Sequence, residues 1–285
     1  MADIPYIQGF EIKPNKISSD GIVTFTDGTN AITPNQRQCQ AYGYTYDATT
    51  RTCRAFKYTT EISSTSERVN SNVQGNENIV DTGSNNTYVM GEKNQVGSLS
   101  RNNIVVGTNN VMNSKITNSS IFGIGGNGVI DGAMVFGGNA LTDRLGTRQT
   151  ITLMYGVQTT NNSTVDSFPN NAGSLVFFEP EVNRVYYFQS ETLAVRVGGS
   201  SGSGAVGDFK AWVERGVVVC DNAGNLSIER SRTSPADSGT TSGWSPINAV
   251  NASQFRQTVK GASNMTIDWV STIRFMQLNT GVSIP

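Results

Sequence analysis

The 285-residue chain contains no histidine. That removes imidazole bases, Ser–His and Cys–His nucleophile pairs, and His-ligated metals. Charged residues make up only 15% of the chain and the net charge is −1, well below the usual quarter. No basic footprint for nucleic acid exists. No run reaches the 18 or so apolar residues of a membrane-spanning helix. The start, MADIPYIQGFEI, has neither a basic region nor an apolar one of signal-peptide type. A soluble protein, made where it folds and not inserted into a membrane, is expected. There are three cysteines. In a protein made in a reducing compartment, Cys39 and Cys53 are read as free thiols or small buried residues ahead of a disulfide. A zinc site built on them finds no further ligands. No metal and no cofactor is expected. Proline is absent between Pro34 and Pro169, so every backbone N–H of that stretch is free to join a ladder.

That proline-free stretch carries a repeat. Gly75, Gly91, Gly107 and Gly123 are sixteen residues apart, and Gly137 follows after fourteen. Two residues before each stands a β-branched aliphatic: Val73, Val89, Val105, Ile121 and Val135. Asn70, Asn86, Asn102 and Asn118 open the first four units. A second in-phase line runs through Asn78, Asn94 and Asn110, each followed two places on by Val80, Val96 and Met112; Asn127 and Val129 continue it one residue out of step. A fixed period of this length is too short for two helices and fits a solenoid coil of short strands. Gly and Asn at the corners supply the positive φ of tight turns, and stacked Asn side chains can bond from coil to coil. GIGGNG at Gly123–Gly128 lies on the repeat phase and reads as roll corners rather than a phosphate loop.

Strand side chains alternate between faces. If Val89, Val105, Ile121 and Val135 fill the coil, then Tyr88, Met90, Ile104, Val106, Phe122, Met134 and Phe136 point outward. Both faces are then apolar, and the outer one needs a cover. These seven residues are the expected interface of a homotrimer.

The unit Asn-x-x-Val-x-Gly followed by x-Asn-x-Val resembles the left-handed parallel β-roll of trimeric adhesin heads. Similar repeats occur in fibre proteins of tailed bacteriophages. The resemblance covers about a quarter of the chain. It implies three rolls packed side by side, an N-terminal attachment to a virion, and display on the particle surface. The expected fold is all-β: an N-terminal extended arm and small hairpin, the left-handed β-roll of about 16-residue repeats, and a C-terminal antiparallel β-sandwich or jelly-roll-like domain. The expected boundaries are 1–56 for the virion-anchoring arm and Cys/Tyr hairpin, 57–69 for a linker, 70–141 for the roll, and 147–285 for the C-terminal domain.

Within 35–56, Tyr42, Tyr44 and Tyr46 alternate before an Asp47 turn, a hairpin pattern whose tyrosines are read as packing at a trimer axis ahead of stacking on sugars. Beyond Leu141, strands are expected at Gln149–Tyr155, Ser174–Phe178, Arg184–Gln189, Leu193–Val197, Phe209–Glu214, Val217–Cys220, Leu226–Arg230 and Met265–Leu278. A flexible loop is expected at Gly198–Gly207 and a hairpin turn at Asp221–Asn225. Ile267, Trp269, Ile273 and Phe275 fall on one face at period two. Many short strands with turn signals point to a sandwich.

Together these features support a homotrimeric phage virion fibre, attached to capsid or tail proteins through residues 1–56 and to a bacterial surface glycan or protein through its C-terminal domain. A purely structural trimer that decorates or cements the capsid is the alternative. Trp244, on the Gly-rich loop SGTTSGWSP, is the candidate receptor contact, against a role as a buried anchor. Glu179 and Glu181 are the one close carboxylate pair in an apolar setting and the sole candidates for glycoside hydrolysis. Pairs at loop edges are ordinarily solvated, so no catalytic residue is assigned and no enzyme is expected.

Overall fold

The computed structural model describes residues 12–18, 21–48, 50–55, 70–138, 144–169, 176–200, 204–279 and 281–285. The expected linker 57–69 and residues 1–11 of the expected arm lie outside them, as does part of the expected Ser174–Phe178 strand and of the Gly198–Gly207 loop. The chain forms two compact units, residues 1–64 and 65–285.

In the first unit, β1 (Lys13–Ile17), β2 (Val23–Thr26) and β3 (Ala31–Ile32) make an antiparallel sheet in that order. A helix follows where the sequence suggested only a hairpin: α1, Gln36–Ala41. Its start is written in the residues. Asn35 Oδ1 accepts from the Gln38 backbone N–H at 3.0 Å, and Gln38 Oε1 accepts from the Asn35 N–H at 2.9 Å. This reciprocal pair satisfies two of the helix's orphan donors. The hairpin proper is β4 (Thr45–Asp47) with β5 (Thr52–Arg54). The core is small: Val23, Phe25, Cys39 and Cys53. Tyr42 and Tyr44 set their rings edge-on to Phe25 at 5.5 and 6.3 Å, so these tyrosines pack within their own unit. Cys39 and Cys53 are joined in a buried disulfide, Cα–Cα 5.6 Å, which corrects the expectation of free thiols. A unit of this size has a small core of marginal stability, to which such a staple adds.

The second unit opens with the roll. Its long strands are β6 (Asn72–Asn76), β8 (Tyr88–Glu92), β10 (Ile104–Thr108), β12 (Ser120–Ile124) and β14 (Met134–Gly138). Between them lie the two-residue strands β7 (Ile79–Val80), β9 (Gln95–Val96), β11 (Val111–Met112) and β13 (Asn127–Gly128). Long strands pair parallel in register, Val73 to Val89 to Val105 to Ile121 to Val135, and the short strands form a second parallel sheet. Isolated bridges from Asn85 to Arg101 to Thr117 mark a third side. The result is a β-solenoid of about four turns over residues 72–138.

Three features fix the coil spacing. The inside is filled by Val89, Val105, Ile121 and Val135, with Val80, Val96, Met112, Ile116 and Ile130 opposite. Gly75, Gly91 and Gly107 hold φ of +104°, +124° and +129°, and a Cβ on any of them would stand 1.9 Å from the next coil's glycine carbonyl oxygen. Buried asparagines tie the coils: Asn94 donates from its backbone N and its Nδ2 to Asn78 Oδ1, both at 3.0 Å, and Asn110 repeats this on Asn94 at 3.1 and 2.9 Å. A second, exposed ladder links Asn86, Asn102 and Asn118 through Nδ2···Oδ1 bonds of 3.1 and 3.0 Å. In the last coil Gly126, not Asn127, takes the asparagine's place; its N–H donates to Asn110 Oδ1 at 2.8 Å. Asn127 turns its N–H to Gln149 Oε1 instead, at 2.8 Å.

That contact closes the roll. The remaining strands are β15 (Arg148–Thr159), β16 (Thr164–Pro169), β17 (Arg184–Gly198), β18 (Phe209–Cys220), β19 (Leu226–Asp237), β20 (Ser245–Asn251), β21 (Gln254–Lys260) and β22 (Thr266–Asn279). β15 pairs antiparallel with β14, so the roll's long sheet runs on without a break in the order β6-β8-β10-β12-β14-β15-β22-β17-β18-β19. The ribbon β16-β21-β20 supplies a second layer. Between the layers Phe188 and Phe275 meet Phe255 at 5.3 and 5.0 Å. Ile267, Trp269, Ile273 and Phe275 all point into this core, as their period implied. The strands expected at Arg184–Gln189 and Leu193–Val197 are one strand, β17, and those at Phe209–Glu214 and Val217–Cys220 are one strand, β18.

Candidate functional site: the outward apolar face

The inner face of the long sheet is spent on the core, which leaves its outer face as the feature available to a partner. Register fixes which residues share a row. One row reads Gln74, Met90, Val106, Phe122 and Phe136; the next reads Asn72, Tyr88, Ile104, Ser120 and Met134. Met90 is 45% exposed, Ile104 43%, Met134 45% and Phe136 48%; Tyr88, Val106 and Phe122 are half-buried by their row neighbours. Phe122 stacks on Phe136 with centroids 5.8 Å apart, and Tyr88 Oη donates to Met90 Sδ at 3.5 Å. Thus the seven residues singled out in the sequence stand on one outward face. Only Ser120 interrupts the apolar run. Contiguous apolar surface of this kind is uncommon on a monomer.

The other candidates lie elsewhere. Trp244, put forward as an exposed contact, is 4% exposed. Its ring lies 6.3 Å from Trp269, which in turn stacks on Trp212 at 5.6 Å. It is a buried anchor that pins its loop, not a surface for a ligand. Glu179 and Glu181 take different partners: Glu179 accepts from Gln254 Nε2 at 3.0 Å, and Glu181 pairs with Arg184. Burial raises the Glu181 carboxyl above the usual range, against the pull of Arg184. Among the described residues no three of Cys, Asp and Glu converge to hold a metal, and no helix is long and apolar enough to cross a membrane.

Sequence reasoning missed a buried polar band between the layers. Glu214 on β18 is 2% exposed; it pairs with Arg230 at 2.7 Å and accepts from Asn248 Nδ2 at 3.2 Å. Gln257 Nε2 reaches Asn248 Oδ1 at 3.2 Å and Ser190 Oγ at 3.3 Å, and Thr192 bonds Ser271 at 2.8 Å. The band separates the Phe/Tyr cluster from the Trp cluster.

No family model and no curated protein matches the chain. Solved structures do resemble it. The Acinetobacter baumannii phage AM24 tailspike aligns over 76% of this chain and 56% of its own, at 8% identity and a TM-score of 0.29. The Acinetobacter phage vB_ApiP_P1 tailspike aligns over 74% and 49%, at 9% identity and 0.21. The gp49 tailspike of A. baumannii bacteriophage Fri1, described as a capsular polysaccharide depolymerase, aligns over 75% and 38%, at 9% identity and 0.26. The chain spans about half or less of the length of these proteins. One expectation is corrected: the Fri1 neighbour is described as a capsular polysaccharide depolymerase, so the exclusion of an enzyme drawn from the sequence is not kept.

Proposed function

We propose that this chain is a fibre protein of a tailed-phage virion that assembles as a parallel homotrimer around a left-handed β-roll. In this reading residues 1–56 dock on capsid or tail proteins. The C-terminal strands, with the exposed turn residues 204–207, 238–239 and 242–243, face the bacterial surface and its glycans. The observation that carries it is the outward apolar face of the roll, Met90 to Phe136, uncovered in the single chain. The repeat's likeness to fibre and adhesin rolls supplies the class. Three weak surface contacts on one rigid fibre would act through avidity.

Magnitudes make the assembly plausible without making it strong. Full burial of a large apolar side chain contributes about 1.5–3 kcal/mol, so the exposed half of each of the seven contributes roughly 1 kcal/mol. That is about 7 kcal/mol per chain and about 20 kcal/mol per trimer, against two association steps costing about 4–15 kcal/mol each. Light scattering on the full chain tests it: the expected mass is three times 30.6 kDa. Val106→Asp with Phe122→Asp should give monomers, because a charge buried without a partner costs several kcal/mol. A monomeric wild type, or a double variant that stays trimeric, would overturn the assembly reading. For the virion, antibody raised against the chain should label phage particles and block their adsorption to cells.

A further inference from the structure

We infer that the contact between copies does not end with the roll but runs on over the antiparallel part of the same sheet, where two further copies of this chain cover Met276, Tyr187 and Val217. This rests on the trimer reading above. The row that begins at Met90 and reaches Phe136 continues by hydrogen-bond register through Thr150 on β15, Met276 on β22, Tyr187 on β17 and Val217 on β18. Met276 is 48% exposed and Val217 36%. The adjoining row carries Leu278, 47% exposed, with Val185 and Val219 beside it.

The geometry sets the occupant. Rows in a sheet run across the strands, which in a solenoid means along its axis. A copy laid parallel along Met90–Phe136 therefore continues onto the next strands, spaced about 4.8 Å apart. It reaches Met276 about 10 Å beyond Phe136 and Val217 about 20 Å beyond. The flanking chemistry narrows the track. Beyond Met134 the roll's other apolar row turns polar, through Thr152, Arg274, Gln189 and Arg215, and Arg274 Nη2 donates to Gln189 Oε1 at 3.4 Å within the same chain. The apolar track is thus broken on β15, where Thr152, Thr150 and Arg148 hold the three rows, and resumes beyond it in the central row and the Leu278 row. Because the seven roll residues alone barely offset the cost of association, an interface confined to them would be weak.

Two full-length variants test this. Met276→Asp with Val217→Asp should keep the β-sheet circular dichroism of the wild type and dissociate at concentrations at least tenfold higher. Val217→Cys, a milder change, should cross-link between copies with a short bismaleimide, while Ser234→Cys on the edge strand β19 should not. If the wild type is a trimer and the roll variant a monomer, yet the Met276/Val217 variant dissociates like wild type and Val217→Cys yields no cross-link, this proposal fails and the trimer stands. If the wild type is a monomer, the parent reading fails as well.

Discussion

Replacing Asn94 by alanine isolates what the buried asparagine ladder contributes. Asn94 is fully buried. Its Oδ1 accepts from the Asn110 backbone N–H at 3.1 Å and from Asn110 Nδ2 at 2.9 Å, and its Nδ2 donates to Gly107 O at 2.8 Å. Alanine keeps the backbone bond from residue 94 to Asn78 Oδ1 but leaves the Asn110 N–H without that acceptor and Gly107 O without that donor. Each buried polar group left unsatisfied costs about 1–3 kcal/mol. With two such groups, a loss of about 2–6 kcal/mol is expected. The matched control is Asn102→Gly. Asn102 makes the same coil-to-coil bond, at 3.0 Å to Asn118, but it is exposed and sits at φ +55°, which glycine tolerates. Water replaces its partner, so its loss should stay within about 0.5 kcal/mol. Urea unfolding monitored by circular dichroism, at one protein concentration for both variants, reads the difference. If Asn94→Ala costs no more than Asn102→Gly, the buried ladder is not what holds the coils in register.

Further outcomes follow from other parts of the fold. Gly107→Ala should destabilise the roll by about 3 kcal/mol or more, since it adds a positive-φ cost of about 1–2 kcal/mol to a backbone clash with the next coil; a thermal melt within a degree of wild type would refute the close-approach argument. Reducing Cys39–Cys53, which closes a loop with a sequence separation of 14, should cost the first unit about 3 kcal/mol; limited proteolysis should then cut within residues 12–55 while the second unit stays intact. Burial raises the hydroxyl pKa of Tyr155, and of Tyr186 in which burial again leads the causes, so both stay neutral in the folded protein past the ordinary tyrosine range. The stability they contribute is present below the unfolded value near 10 and is lost as pH rises toward their folded values. Absorbance at 295 nm should therefore show fewer than the nine tyrosines titrating until the chain unfolds.

The roll was legible because each of its rules acts at a single residue. A carbonyl that leaves no room for a Cβ demands glycine, a corner demands Asn, and a narrow interior demands Val or Ile, so the demands recur at one spacing. The C-terminal layer was harder for a reason the structure makes plain. β17 reads as two strands because Ser190 and Thr192 point inward, and β18 because Arg215 and Gly216 follow the inward-pointing Glu214. Apolar periodicity breaks there, although burial continues. The ribbon escaped notice for the same cause: Ser167, Asn248 and Gln257 face the core, and Pro169 and Pro246 look like strand breakers. Phe255, Gln257 and Val259, buried at period two, held the missed signal in β21. The helix at Gln36 was signalled by Asn35 and Gln38 three residues apart, a pairing overshadowed by the tyrosines that follow it.

Under the fibre proposal above, the junction of roll and antiparallel strands has a mechanical role. A roll that ended in an open edge would leave a row of unpaired backbone groups, an invitation to unwanted pairing. Here β15 covers the edge of the long sheet, and Gln149 covers the inside of the last coil. Its amide holds both the N–H and the carbonyl of Asn127, at 2.8 and 3.2 Å, and reaches Gln277 Oε1 at 3.1 Å on β22. Gln277 in turn donates to Gly146 O, whose N–H bonds Gly125 O at 2.8 Å. Coil and C-terminal layer are therefore joined by side-chain bonds as well as by the shared sheet. Such a joint resists hinging, so the strand-end turns of the C-terminal layer would be held in a fixed direction relative to the roll axis. For a trimer, that fixed direction decides whether three weak sites meet a flat surface together.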